Sequence, residues 1–144
     1  MIRTHRFRFR APDGRGGLAA DLRARAHLPP EPVERGMRVH RQVWLTVPAG
    51  TYWRDVAWLG AGVELSGPLL AERCPAGVLI EVHELSYPLA DYRAEVAALA
   101  MDGWLRDAFD LPPSGAGVSA TSVGIEFRWG PGGDPLRTMG RHGP

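Results

Sequence analysis

Lysine is missing from this chain, and all 17 of its strongly basic side chains are arginine. A phosphate loop of the Walker type needs a lysine to reach the terminal phosphates, so nucleotide binding and hydrolysis through such a loop are excluded. The same bias points to a GC-rich, bacterial coding sequence. Cysteine is almost missing too: Cys74 is alone, which rules out an internal disulfide and fits a reducing compartment. No apolar run is long enough to span a bilayer, and the opening "MIRTHRFRFR" has basic residues without the apolar core of a signal peptide. The expected location is the cytoplasm, with no membrane partner. Net charge is scarce as well. At +1 the molecule cannot act as a polycation, so any contact with nucleic acid has to come from a local patch.

What is present suits one domain of ordinary size. We expect it to fill residues 1–130, with 131–144 as a flexible tail, because "GPGGDPLRTMGRHGP" has too little apolar content to order itself. In "IRTHRFRFR" the side chains alternate, so that Arg6, Arg8 and Arg10 share one face and His5, Phe7 and Phe9 the other. This predicts a first strand with a cationic face. "LAADLRARAHL" reads as a short helix, residues 38–47 as a strand, and "PAGTYWRDVAWLGAGVEL" as a helix weakened by Gly60 and Gly62. "GVLIEVHEL" alternates with Val78, Ile80 and Val82 toward the core. In the next helix Asp91 is the expected N-cap, Ala97, Met101, Trp104, Leu105 and Ala108 the apolar stripe, and Glu95, Asp102 and Arg106 the wet face. "SVGIEFRW" is read as a last strand. The resulting order is an α+β arrangement with helices on one face of a small sheet.

Catalytic chemistry is thinly represented. "HEL" at His83 lacks a second histidine one helical turn later and sits in a strand, and the five histidines are scattered, so no metal site is expected. Cys74 stands beside a proline, where a loop or packing role is a readier explanation than a nucleophile paired with a histidine, and Ser66 and Ser86 have no base near them in sequence. No catalytic residue and no cofactor are assigned. The arginines gather in the N-terminal half, where the guanidinium fork suits phosphate, although on spacing alone a solvated sheet face is the stronger explanation.

The stretch "SYPLADYRAEVAALAMDGWLRDAF" is more specific. Ser86, Tyr87, Asp91, Leu99, Ala100 and Phe109 fall without a gap on the turn and helix pattern of domain IV of the elongation factor G family, which the stretch resembles. Gly67, Pro68 and Leu69 resemble the family's Gly-Pro-Leu, Pro48 and Tyr52 its Pro-Gly-x-Tyr helix entry with one residue inserted, and Arg35-Gly36 its glycine-rich loop. The resemblance runs over residues 35–129. It implies a fold like ribosomal protein S5 domain 2, with four strands backed by two helices on one face. It also implies two tip loops, residues 33–41 and 87–93, that contact structured RNA or the ribosome. Arg35, Arg38, Arg41, Tyr87, Asp91 and Arg93 are the candidate RNA-binding residues, and Arg35, Arg38 and Arg93 are expected to project from the same end as a Tyr87 ring free to stack. Pro88 replaces the family's tip histidine, the glycine-rich loop is short, and no GTPase domain accompanies it. The expectation is therefore a stand-alone, non-GTPase, translation-factor-like module that binds RNA. The alternatives are a protein-interaction domain and a small enzyme of specialised metabolism on the same scaffold. A deep pocket with His83, Cys74 and a carboxylate would favour the enzyme, and an apolar patch at Trp44 or Trp129 a protein partner.

Overall fold

The computed structural model describes residues 1–14, 16–28 and 36–130. Residues 33–35 of the first predicted tip loop, Arg35 among them, and the predicted tail lie outside these residues.

The chain begins with a hairpin. β1 (Ile2–Arg10) and β2 (Gly17–His27) pair antiparallel over the whole of β1, from Ile2 opposite Arg25 to Arg10 opposite Gly17. Residues 18–28, expected to be helical, are thus strand. Leucine, alanine and arginine favour helix individually, but Leu18, Ala20, Leu22 and Ala24 alternate with Ala19, Asp21, Arg23 and Arg25. That period of two buries the first set and leaves the second outside. Residues 38–47 also differ from the expectation, being divided into a second hairpin of β3 (Met37–His40) and β4 (Val43–Thr46). Its turn contains neither glycine nor asparagine. Arg41 itself takes the left-handed conformation, at φ 28°, and Arg38 Nε donates to the Arg41 carbonyl at 2.6 Å.

α1 (Trp53–Leu65) and α2 (Gly67–Arg73) then carry the chain to β5 (Val78–Ser86), which lies parallel to β4 and antiparallel to β2. The sheet order is β1-β2-β5-β4-β3. It has five strands where four were expected, because the first predicted helix is a strand and the second predicted strand is a hairpin. There are three helices rather than two, because α1 ends at its C-cap Ser66 and Gly67-Pro68 starts α2. After a 3₁₀ turn at Leu89–Asp91 comes α3 (Glu95–Phe109), followed by a separate hairpin of β6 (Ala116–Thr121) and β7 (Gly124–Trp129). The single last strand of the sequence reading is therefore two.

The architecture is α+β. The helix-facing side of the sheet, including Leu22, Leu45, Val78, Ile80 and Val82, packs with Leu59, Val63, Ala97, Met101, Trp104 and Leu105 in one buried cluster. Each such side chain taken from water contributes about 1.5–3 kcal/mol. Val78, Ile80 and Val82 of β5 and Ala97, Met101 and Leu105 of α3 are all buried in this cluster, as predicted. α3 is more deeply set than an amphipathic stripe implies: every residue from Val96 to Leu105 is buried. It packs against α1, β1, β2 and the β6–β7 hairpin. Two glycines permit these approaches. A Cβ at Gly62 would stand 2.6 Å from the Ala98 carbonyl oxygen, and one at Gly103 would run into the His5 ring. Asp102, placed on the wet face by periodicity, is buried for the same reason.

Candidate functional site

Among the described residues no helix covers the other side of the sheet, and strand alternation decides its chemistry. Arg6, Arg8 and Arg10 of β1 and Arg23 and Arg25 of β2 all point that way and are exposed. Thr4 opposes Arg23 and Arg6 opposes Asp21, so the guanidinium groups form one staggered field over two adjacent strands. Arg8 pairs with Asp21 at 2.9 Å. Arg6, Arg10, Arg23 and Arg25 form no ion pair among the described residues. On the neighbouring strand Glu81 is engaged by histidines instead. His27 Nε2 is hydrogen-bonded to its Oε1 at 2.9 Å, and His83 Nε2 lies 3.1 Å from the same oxygen without the geometry of a hydrogen bond. The bond to His27, aided by the charge of His83, holds the Glu81 carboxyl below its ordinary value against the opposing pull of burial.

The predicted tip residues divide between two ends of the sheet. Val43 is in register with Val78, and the Val78 amide donates to the Gln42 carbonyl at 3.0 Å. Arg38 and Arg41 therefore lie where β5 starts. Tyr87, Asp91 and Arg93 follow its end, and a strand of nine residues separates the two by roughly 26 Å at about 3.3 Å per residue. The expectation of one shared tip is corrected accordingly. Arg93 is exposed but engaged, 5.0 Å over the Phe127 ring and 3.3 Å from Glu95 Oε2. Asp91 belongs to the 3₁₀ turn, where its amide donates to the Pro88 carbonyl at 3.1 Å. It does not cap α3, whose N-cap is Ala94 with no side-chain cap bond.

Tyr87 is not free to stack on a partner, as expected of it, because it is the centre of an internal cluster. Pro88 and the 3₁₀ turn reverse the chain so that Tyr92 returns beside Tyr87, their rings parallel within 4° and their centroids 3.4 Å apart. Both hydroxyls donate to Asp55 in the first turn of α1, Tyr87 to Oδ2 at 2.8 Å and Tyr92 to Oδ1 at 2.6 Å. Asp55 is 5% exposed, and its carboxylate stands at the positive end of the helix dipole. Burial first, and then the Asp55 bond and charge, push the Tyr87 phenol up to about 12 and drive Tyr92 strongly in the same direction. Both therefore remain protonated donors at neutral pH. Nothing in the sequence flagged Asp55, since an acid in a first helical turn has an ordinary explanation in the dipole and its partners lie more than thirty residues away.

Cavities gather around this cluster. One of about 400 Å³ is walled by Tyr52, Trp53, Asp55, Tyr87 and Tyr92. A neighbour of about 310 Å³ shares Tyr52, Asp55 and Tyr87 and adds Thr51, His83 and Glu84. Cys74 borders neither; it is buried at the end of α2, and that burial raises its thiol pKa despite the charge of Arg73. Trp129 stacks on Trp58 with centroids 5.0 Å apart, so it belongs to the packing of the β6–β7 hairpin. Among the described residues no group of three or more His, Cys, Asp and Glu side chains is arranged to hold a metal ion, and no helix is long and apolar enough to cross a membrane. The sequence matches no protein-family model and no curated protein.

Proposed function

We propose that this chain is a non-enzymatic, translation-factor-like module whose partner is structured RNA, on the ribosome or elsewhere. Its core is taken as one like ribosomal protein S5 domain 2, supplied by β2 to β5 with α1 and α3, and β1 is an added edge strand. The observation that carries the reading is the helix-free sheet face. Five arginines project from two adjacent strands there, and four of them have no ion-pair partner among the described residues. Phosphate contacts require such a local concentration of donors, and guanidinium groups bind phosphate oxygens two at a time. Arg38, on the same side of the sheet at β3, extends the field, while Arg93 and Tyr87 stand at the far end. The contact surface is thus centred on the sheet face rather than on the two tip loops.

The test is a titration of the wild type and an Arg6→Ala/Arg23→Ala/Arg25→Ala variant against a hairpin RNA and small ribosomal subunits at several salt concentrations. About four phosphate contacts give a slope of log affinity against log salt of roughly −3, and each arginine removed reduces its magnitude by about 0.7–0.9. Binding no stronger than that of an unrelated neutral protein, or equal binding by the triple variant, removes the RNA reading.

A further inference from the structure

Asp55 carries a charge that no basic side chain neutralises among the described residues. Its oxygens accept from two phenols, and the guanidinium of its neighbour Arg54 lies 5.2 Å from the Trp53 ring centroid. The helix dipole offsets part of that charge, equivalent to roughly half a unit at the N-terminus. Beside the carboxylate lies the 400 Å³ cavity, and two of its aromatic walls stand open to solvent, Tyr52 at 75% and Trp53 at 73% exposure. Large aromatic rings held this far out of the core require an explanation that packing does not supply. Ring faces carry negative potential and the carboxylate reinforces it, and the one positive charge in the lining, Arg54, already lies over the Trp53 ring. The adjoining depression adds Glu84, a second acid.

We propose that this cavity binds a small organic cation of the alkylammonium class. Each oxygen of Asp55 already receives a phenol hydroxyl, so recognition works through the field of the carboxylate and the faces of the rings, not through new N–H donors. That favours a cation with an apolar periphery, such as a quaternary ammonium, over a strongly hydrated one. Arg54 over Trp53 shows the ring accepting a cation within the chain itself, and a ligand would compete with it.

Choline and its uncharged isostere 3,3-dimethylbutan-1-ol provide the test, followed by the ¹⁵N–¹H signal of the Trp53 indole. Choline is expected to shift that signal saturably and to bind about fivefold or more tighter than the isostere. Trp53→Ala, at an exposed position that leaves the fold intact, should bring the two ligands together. Arg54→Ala removes both a like charge and the internal competitor, and should tighten choline binding about two- to fivefold. Asp55→Asn, checked for folding by circular dichroism, should erase the preference for charge. Equal binding of choline and the isostere, absence of binding by both, or weaker choline binding in Arg54→Ala overturns the proposal. Inorganic phosphate shifting the same signals, with the shift lost in Arg54→Ala, assigns the cavity to anions and overturns it as well. The sheet-face triple variant should bind choline like the wild type, so the outcome is independent of the RNA reading.

Discussion

The arginine field and the Asp55 cluster hold their charges by opposite means. On β1 and β2 alternation alone sends Arg6, Arg10, Arg23 and Arg25 to the open face, where water solvates them without an ion-pair partner among the described residues. At Asp55 a carboxylate is nearly withdrawn from solvent, and two phenols carried by another loop must reach it together. The first arrangement leaves charge available to a partner at little cost in stability. The second consumes charge to fix the loop after β5 against α1. Charge that faces solvent is free for binding, whereas charge that is buried is tied to the fold.

Asp102 sharpens the contrast. It is as buried as Asp55 but poorly served: its Oδ1 makes no hydrogen bond, and Arg106 Nε stands 3.3 Å from Oδ2. Burial pushes its carboxyl above the ordinary value of 3.8, and Ser114, Arg106 and His5 offset that only in part.

The severest break of the comparison is a charge placed where neither arrangement exists. Met101 is fully buried between the sheet and the helices, so Met101→Asp should cost about 4 kcal/mol or more and unfold the domain. Loss of the cooperative thermal transition checks it. Next in size, Asp55→Ala leaves both phenols without their acceptor. It should cost about 2–4 kcal/mol in chemical denaturation and let Tyr87 and Tyr92 titrate at lower pH, readable by ultraviolet difference spectra.

Asp102 gives a smaller, pH-dependent effect. A carboxyl whose folded pKa is raised binds more protons folded than unfolded, so stability falls as pH rises from 3.8 through the raised folded value. Asp102→Asn should therefore stabilise the protein at neutral pH, and its advantage should shrink as pH falls through that window and vanish below it. An advantage independent of pH would show that Asp102 is ionised and well solvated. Smallest of all, Arg23→Ala on the open face should change stability by no more than about 0.5 kcal/mol. A larger loss would mean that the arginine field holds the fold and is not free for a partner.

Much of the scaffold was legible in the sequence because it rests on periodicity. β1, β5, α1 and α3 follow from alternation or from helical spacing, and the side of β5 that packs inward follows with them. The hairpin at Arg41 was not legible, since an arginine in the left-handed region stabilised by its neighbour's guanidinium leaves none of the usual glycine or asparagine signal. β2 was misread because alanine and arginine propensity outweighed an alternation that was present all along. The wet face assigned to α3 failed at Asp102, where the helix is covered, while Glu95 and Arg106 remain partly exposed.

The candidate site divides along the same line. By itself the sequence determined that β1 presents arginines on one side, because the pleat fixes the direction of each side chain within a single strand. Only tertiary structure decided that Arg23 and Arg25 join them, since this depends on the pairing of β2, and that Arg38 and Arg41 lie a sheet length away from Tyr87, since this depends on β4 running parallel to β5. It also decided that the Tyr87 hydroxyl donates to Asp55. A hydrogen bond between residues 32 apart has no local signature; it exists because a crossover helix and a returning loop meet at the C-terminal end of β5.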